Sequence, residues 1–231
     1  MEAVYDLKHF AASFDIADFL CGAKTRGADR VVFDDTHGYS GKYSKEQTQQ
    51  RMQSILEPCC ALADMPYRYG QPMRDAMWAH RHISAPIRAW EEFKRIEKLR
   101  SVLPPASVDY TVTLRNSMRE PQRNSNAVAW RKFAERIGAV VIEDYAEVAI
   151  GLHERMAMYA GAKMNFVTNG GPARLLVLSD YPYTLFMNAP HTQYLIAHGW
   201  LPGTQPKWAN ADQVTIWSDD TEENIRNLTL Q

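Results

Sequence analysis

The stretch MNFVTNGGPARLLVLS, residues 164–179, decides the fold class of this chain. Met164–Val167 predicts a short strand, Thr168–Pro172 a turn and Ala173–Ser179 a helix. A strand that passes through a short turn into a helix is the repeating unit of α/β proteins, in which parallel strands alternate with helices. Proline suits the first position of such a helix and leaves nearby backbone N–H groups available to a ligand.

The same alternation extends to both sides of this stretch. Further strands are predicted at Val108–Leu114, Ala139–Glu143 and Tyr183–Met187, and helices at Ala127–Ile137 and Tyr145–Ala160. This order predicts a parallel sheet with right-handed crossovers. Val108–Leu114 and Met164–Val167 are rich in apolar residues, so we expect both strands inside the sheet, covered on both faces.

The first half of the chain repeats the pattern less regularly. Strands are predicted at Ala3–Asp6 and Arg30–Asp34, and helices at Phe14–Arg26, Ser44–Ala63 and Trp90–Leu103. Pro58 falls inside the second helix and predicts a kink or an end there. We therefore predict an α/β protein of two small Rossmann-like halves with mostly parallel sheets. The halves are residues 1–104 and 105–231, divided at Pro104-Pro105.

Composition limits the class of protein. The chain has 231 residues, of which 45% are hydrophobic and 23% charged, which excludes a disordered, collagen-like or coiled-coil protein. The net charge of -1 gives no global field that would draw the chain onto nucleic acid. Cys21, Cys59 and Cys60 are odd in number and lack C-x-x-C spacing, which favours reduced thiols in a cytoplasmic protein. No apolar run approaches the roughly 20 residues of a membrane span.

Polar residues follow two of the predicted inner strands. Ligands of an open parallel sheet bind outside the carboxyl ends of its strands. Residues 115–126 carry arginines, whose guanidinium groups bind phosphate or carboxylate through paired hydrogen bonds. Residues 168–172 carry glycines, which let the backbone approach a ligand closely. The alternatives are a solvated loop and an ordinary strand-to-helix turn. The predicted anion-binding residues are Arg115, Arg123, Asn124, Asn169, Gly170 and Gly171.

A general base is expected in the first half. Asp34, Asp35 and His37 follow the strand Arg30–Asp34, and a carboxylate or imidazole at a strand end can accept a proton from a substrate. A purely structural role for these residues stays open. His80 and His82 have a spacing that can bind metal, but no set of acidic partners lies near them in the sequence. We therefore predict no metal site.

Val112–Arg115, Arg123–Asn126 and Thr168–Pro172 together resemble the strand, arginine loop and donor-diphosphate loop of GT-B glycosyltransferases. The likeness is to fucosyltransferase-like and heptosyltransferase-like members and covers mainly residues 108–187. It implies inverting transfer of a sugar from a nucleotide-sugar bound by the second half to a hydroxyl acceptor at the first half. No cofactor or metal is implied. The chain is shorter than ordinary members, so the acceptor half would be reduced.

Two other functions remain possible from the sequence. The chain could be a non-catalytic nucleotide- or anion-binding α/β protein that keeps the donor-like half. It could also be an interaction module whose arginine loop meets a protein or nucleic acid, and nucleic acid also stays open as an acceptor of the sugar. Neither the sugar nor the acceptor is identified by the sequence.

Overall fold

The computed structural model describes residues 1–78, 95–117, 120–144, 150–188 and 200–228. Strands in these ranges form two separate sheets, one from each half of the chain. The strands are β1 Glu2–Asp6, β2 Arg30–Asp34, β3 Tyr67–Tyr69, β4 Met77–Trp78, β5 Tyr110–Arg115, β6 Val140–Asp144, β7 Met164–Thr168, β8 Tyr183–Phe186 and β9 Gln213–Ile216.

The first sheet has the strand order β3-β2-β1-β4, and every pair is parallel. Its centre is β1, in which all residues are buried. The register places Asp6 beside Asp34, so the carboxyl ends of β1 and β2 are level. Both strands therefore place an acidic residue at the carboxyl end of this sheet.

The second sheet has the order β6-β5-β7-β8-β9 and is also parallel throughout. The prediction of a parallel sheet with the strands Val108–Leu114 and Met164–Val167 inside is confirmed, since β5 and β7 are neighbours with covered faces. Renumbered within the sheet, the order is 2-1-3-4-5, a doubly wound order in which the chain changes direction between β5 and β7. The protein thus has a Rossmann-like α/β fold with two parallel sheets.

Helices connect the strands in both halves. They are α1 Asp15–Thr25, α2 Lys45–Arg51, α3 Glu57–Leu62, α4 Ala127–Ile137, α5 Leu152–Gly161, α6 Ala173–Val177 and α7 Glu222–Arg226. The predicted helix over residues 44–63 is present, opened by the capping box of Ser44 and Gln47. A π-helical turn, Met52–Leu56, joins α2 to α3 just before Pro58. Proline has no N–H to donate, which accounts for the irregular turn at this point.

The predicted helix over residues 90–103 is wrong where the structure describes it. Residues 95–103 have no helix, and residues 90–94 lie outside the described ranges, as do His80 and His82. The described part instead crosses between the halves with backbone hydrogen bonds to both. Leu99 N donates to Leu178 O and Arg100 N to Leu62 O, each at 2.8 Å. Tertiary contacts therefore override the amphipathic pattern of the sequence.

The two halves share one apolar core. Buried residues of α1, α3, α5 and α6 belong to a single cluster, and α1 packs on α6 while α3 packs on α5. The other face of the second sheet is covered by α4 and α7, where Trp130 and Phe133 pack against Phe166. Described helices of both halves thus lie between the two sheets.

The segment of residues 95–103, which connects the halves, shows which strand ends of the two sheets lie on the same side of the molecule. Glu97 N donates to Thr25 Oγ1 at the end of α1, and Leu99 N donates to Leu178 O at the end of α6. A helix that follows a strand in a βα unit begins near the carboxyl end of that strand and finishes on the opposite side. The carboxyl ends of β1 and β7 therefore lie on one side of the molecule, away from this segment.

Within the ranges that the structure describes, no helix combines the length and the apolar composition that a membrane crossing requires.

Candidate anion site and strand-end acids

Arg115 and Arg123 lie together at the carboxyl end of β5. Glu120 joins them, because its Oε2 accepts from Arg115 Nη2 at 2.9 Å and from Arg123 Nη1 at 2.7 Å. The two arginine side chains are only 10% and 14% exposed, whereas the Glu120 side chain is 46% exposed. The Nε atoms of both arginines are buried and have no hydrogen-bond partner in the described structure. The pair therefore has donors to spare.

The loop that carries the pair is closed by its own polar groups. Arg115 N donates to Ser125 Oγ at 2.8 Å, and Ser125 N donates back to Arg115 O at 3.0 Å. Asn124 Oδ1 accepts from Ser117 N at 2.7 Å, and its Nδ2 donates to Ser117 O at 3.3 Å. Asn124, predicted from the sequence to bind an anion, thus has its side chain engaged within the loop.

The turn after β7 lies directly beside this pair. Gly170 packs against Arg115, whose Nη1 is 3.3 Å from the position that a Cβ on Gly170 would occupy. Asn169 is buried, its backbone N donates to Phe186 O at 2.9 Å, and its Nδ2 has no hydrogen-bond partner among the described residues. The structure therefore brings Arg115, Arg123 and the Asn169–Gly170 turn to one place.

Gly171 makes a contact between the two halves, whereas the neighbouring Gly170 lies against Arg115. A Cβ on Gly171 would collide with the ring of Phe14, which lies just before α1 in the first half. The backbone φ of Gly171 is not in the left-handed region, so conformational freedom is not the reason for glycine here. The absence of a side chain instead lets the two halves meet at this point.

Gly171→Ala is expected to lower the free energy of unfolding by about 1–3 kcal/mol, because the added methyl overpacks the contact with Phe14. Urea denaturation measures the change. In the double variant with Phe14→Leu, the cost of the alanine should be smaller than in the parent chain, since the ring has been removed. Equal costs in the two backgrounds would contradict the assignment of Gly171 to this contact.

A third arginine reaches the same region from α6. Arg174 is buried, and its Nε is 3.7 Å from Oδ2 of the buried Asp18 on α1. Burial lowers the pKa of Arg123, and the charges of Arg115 and Arg174 lower it further. Glu120 has the opposite effect on this pKa. Three guanidinium groups, those of Arg115, Arg123 and Arg174, therefore lie close enough to one another to interact. Neither Arg174 nor Asp18 was predicted from the sequence as a site residue, because each is a single charged position in a helix; Asp18 was expected only to suit the dipole at the start of its helix.

Asp18 is an acid held in an unfavourable place. Burial raises its pKa to about 6, since the nearby Arg174 offsets only part of the cost of removing the charge from water and Asp15 adds repulsion. A carboxyl whose pKa is higher in the folded than in the unfolded chain binds more protons when folded. Its contribution to stability is therefore greatest below about pH 4 and is lost as the pH rises toward 6 and above.

Comparison with Asp18→Asn should show this dependence directly. Between pH 4 and pH 7 the free energy of unfolding of the parent chain should fall by about 2–3 kcal/mol relative to the variant, since one pKa unit corresponds to about 1.4 kcal/mol. Urea denaturation at several pH values measures the difference. A constant difference across this range would show that Asp18 is ionised normally in the folded chain.

Asp220 holds the second sheet and its first helix together behind the site. Its buried Oδ2 accepts from Asn126 N at 2.8 Å, Trp130 Nε1 at 2.8 Å and Thr168 Oγ1 at 3.2 Å. These donors lie at the start of α4, within α4 and at the carboxyl end of β7. Asp220 thus fixes the origin of the Asn169–Gly170 turn. Sequence reasoning missed it because the residue lies far along the chain, in a loop.

A buried arginine also lies near the end of β6. Arg155 on α5 is 5% exposed, and its Nη2 donates to Glu143 O at 3.4 Å. Its Nε and Nη1 have no hydrogen-bond partner in the part of the chain that the structure describes. Burial of a guanidinium with unused donors is costly, so Arg155 has donors at the carboxyl end of β6 that the described residues do not use.

The acids of the first half are placed at the carboxyl edge of their own sheet. Asp34 is buried, and its Oδ1 accepts from Thr36 N at 3.0 Å and from Thr36 Oγ1 at 2.5 Å. Asp35 is half-buried and His37 is exposed. The hydrogen bonds of Asp34 show a structural use of its carboxylate in this conformation, whereas the side chains of Asp35 and His37 face a more open environment.

Sequence reasoning missed an acid and a histidine, Asp6 and His9, at the same carboxyl end of the first sheet. Asp6 ends β1, and its Oδ2 is 3.9 Å from Nε2 of His9. The Asp6 side chain is 8% exposed and that of His9 is 54% exposed. A buried carboxylate beside an accessible imidazole is an arrangement suited to proton transfer. The available signal was the position of Asp6 at the end of a predicted strand.

Among the described residues, no three His, Cys, Asp or Glu side chains come together in a group that could hold a metal ion. The three cysteines, Cys21, Cys59 and Cys60, are buried and unlinked. Burial raises the pKa of all three thiols, which leaves them poor nucleophiles.

Comparisons of the chain with protein-family models, with curated protein sequences and with solved structures each found no match.

Proposed function

We propose that this protein is a glycosyltransferase that moves a sugar from a nucleotide-sugar donor to a hydroxyl acceptor without a metal ion. The proposal is carried by the position of Arg115, which lies against Gly170 across the boundary of β5 and β7. Ligands of a doubly wound sheet bind at the point where the strand order reverses. Arg123 and Arg174 add positive charge there, and desolvated guanidinium groups favour a diphosphate.

The chemistry of the transfer matches these groups. The acceptor hydroxyl gives its proton to a base, and its oxygen forms a bond to the anomeric carbon of the sugar. The bond between that carbon and the diphosphate oxygen breaks, and the electron pair stays on the diphosphate. Arg115 and Arg123 would stabilise the negative charge that develops there, as preorganised donors do in other group transfers.

The base would come from the first half, whose carboxyl edge lies on the same side of the molecule. We favour His9, because its accessible imidazole lies at the carboxyl end of the first sheet, with Nε2 3.9 Å from a carboxylate oxygen of Asp6. Asp35 and His37 remain the candidates from sequence. Asp34 is the weakest of these acids, since Thr36 already donates two hydrogen bonds to it.

The arrangement of Asp34 favours a second candidate function, a non-catalytic nucleotide- or anion-binding protein. An acid that is buried and satisfied by its own loop at the end of β2 is typical of a structural residue. In such a protein the arginine region would bind the nucleotide, and the first half would serve only to complete the core.

Two measurements separate these functions. A thermal-shift screen with nucleoside diphosphates should raise the melting temperature if the arginine region binds them. Nuclear magnetic resonance should then show a nucleotide-sugar consumed and its nucleoside diphosphate released in the presence of a hydroxyl acceptor. His9→Ala should retain nucleotide binding and lose turnover. Binding without turnover in the parent chain supports the non-catalytic function. Absence of binding of any nucleotide contradicts the transferase and leaves only the anion-binding form of the second function.

A further inference from the structure

Glu120 occupies the place between two arginines where a bound anion would be expected. Its Oε2 accepts one hydrogen bond from each guanidinium, at 2.9 Å and 2.7 Å. We propose that Glu120 is a built-in competitor for this pair, which a diphosphate displaces and a weakly held singly charged anion does not. The proposal rests on the proposed function, in which the ligand is the donor diphosphate.

The exposures of the three side chains suit such an exchange. Arg115 and Arg123 are 10% and 14% exposed, so they stay in place, whereas Glu120 is 46% exposed and can turn into solvent. The buried Nε atoms of both arginines have no partner in the described structure. A carboxylate that contacts each arginine through one oxygen leaves these donors unused. A ligand with more oxygens would use them.

The number of charges and acceptor oxygens explains why a diphosphate displaces Glu120 more readily than a monoanion does. Two guanidinium groups and one carboxylate leave a charge of about +1, and the carboxylate is tethered at a high effective concentration. A monoanion that replaces Glu120 exchanges one charge-assisted contact for another and must overcome that tether. A diphosphate brings at least one further charge and several more acceptor oxygens, so it gains contacts that Glu120 does not make.

Glu120 could instead act as a positioning residue that holds both arginines for the ligand. The two roles predict opposite results when the charge of Glu120 is removed. Loss of a competitor strengthens the binding of both anions, whereas loss of a positioning group weakens the binding of both. Titration calorimetry distinguishes them with two probes, inorganic pyrophosphate and dimethyl phosphate, which carries a single charge.

We expect Glu120→Gln to lower the dissociation constants for both probes by about tenfold, which corresponds to one charge-assisted hydrogen bond, because neither anion then has to displace a carboxylate. Glu222→Gln, which removes a charge from an exposed pair with Lys132, should leave both constants unchanged. Glu120→Asp keeps the charge but shortens the reach, and it should give intermediate constants even if Glu120→Gln folds poorly.

Weaker pyrophosphate binding in Glu120→Gln, or unchanged dissociation constants, would overturn the proposal. Absence of pyrophosphate binding in both the parent chain and Glu120→Gln would remove the anion site itself. If pyrophosphate is bound with the expected change of its dissociation constant but no nucleotide-sugar is consumed, the competition by Glu120 stands and the transferase function fails. The two proposals can therefore fail separately.

Discussion

Asp220→Ala is expected to lower the free energy of unfolding by about 3–5 kcal/mol, as happens when one partner of a buried polar network is removed. The substitution leaves Trp130 Nε1, Asn126 N and Thr168 Oγ1 without their common acceptor in the interior. Thermal denaturation should show the loss as a fall in melting temperature of roughly 10 °C for a chain of this length.

The exposed Asp212 provides a matched control for that substitution. Asp212→Ala removes the same side chain from a surface position and should change stability by no more than about 0.5 kcal/mol. Asp220→Asn keeps one acceptor oxygen and should lie between the two. Equal losses for Asp220→Ala and Asp212→Ala would show that the three hydrogen bonds contribute nothing to the folded state.

Arg123→Met is expected to weaken nucleoside diphosphate binding by about tenfold to a hundredfold, the loss associated with a charge-assisted hydrogen bond. Stability should change little, because burial and the neighbouring Arg115 and Arg174 already disfavour the charge of Arg123. A substitution that reduces affinity while sparing stability marks a binding role. Titration calorimetry and urea denaturation measure the two quantities on the same protein.

Arg136→Met is the control for that experiment. Arg136 is exposed in the last turn of α4 and stacks on Phe133 at 5.1 Å, away from the carboxyl ends of the strands. Its substitution should leave nucleotide affinity unchanged. Arg123→Lys should recover only part of the affinity, since an ammonium group lacks the paired donors of a guanidinium. Unchanged affinity in Arg123→Met would remove the donor site from consideration.

The sequence was most informative where a pattern is local. Apolar runs bounded by turn residues predicted β2, β5 and β7, and the end of the β5 run predicted that Arg115 would lie at the edge of the sheet. The helix expected over residues 90–103 was wrong in its described part because contacts with Leu62 and Leu178 set the path of that segment. A periodic pattern does not report which partners a segment will find.

The site was less predictable than the fold for the same reason. The pairing of Arg174 with Asp18 and the three hydrogen bonds of Asp220 join residues that are far apart in sequence. The sharing of Glu120 by two arginines depends on how one loop folds back on itself. Such contacts follow from the assembled tertiary structure, and the spacing of residue types in the sequence does not predict them.

The single apolar core between the sheets has a consequence for how this chain behaves as a whole. Because α1 and α3 bury their apolar faces against α5 and α6, either half alone would expose a surface that is normally covered. Folding of each half therefore depends on the other. A substitution in the core of one half can lower the fraction of molecules in which the other half is folded. Any substitution on the surface of the first half that faces the second would have to preserve the contacts on which the second half rests.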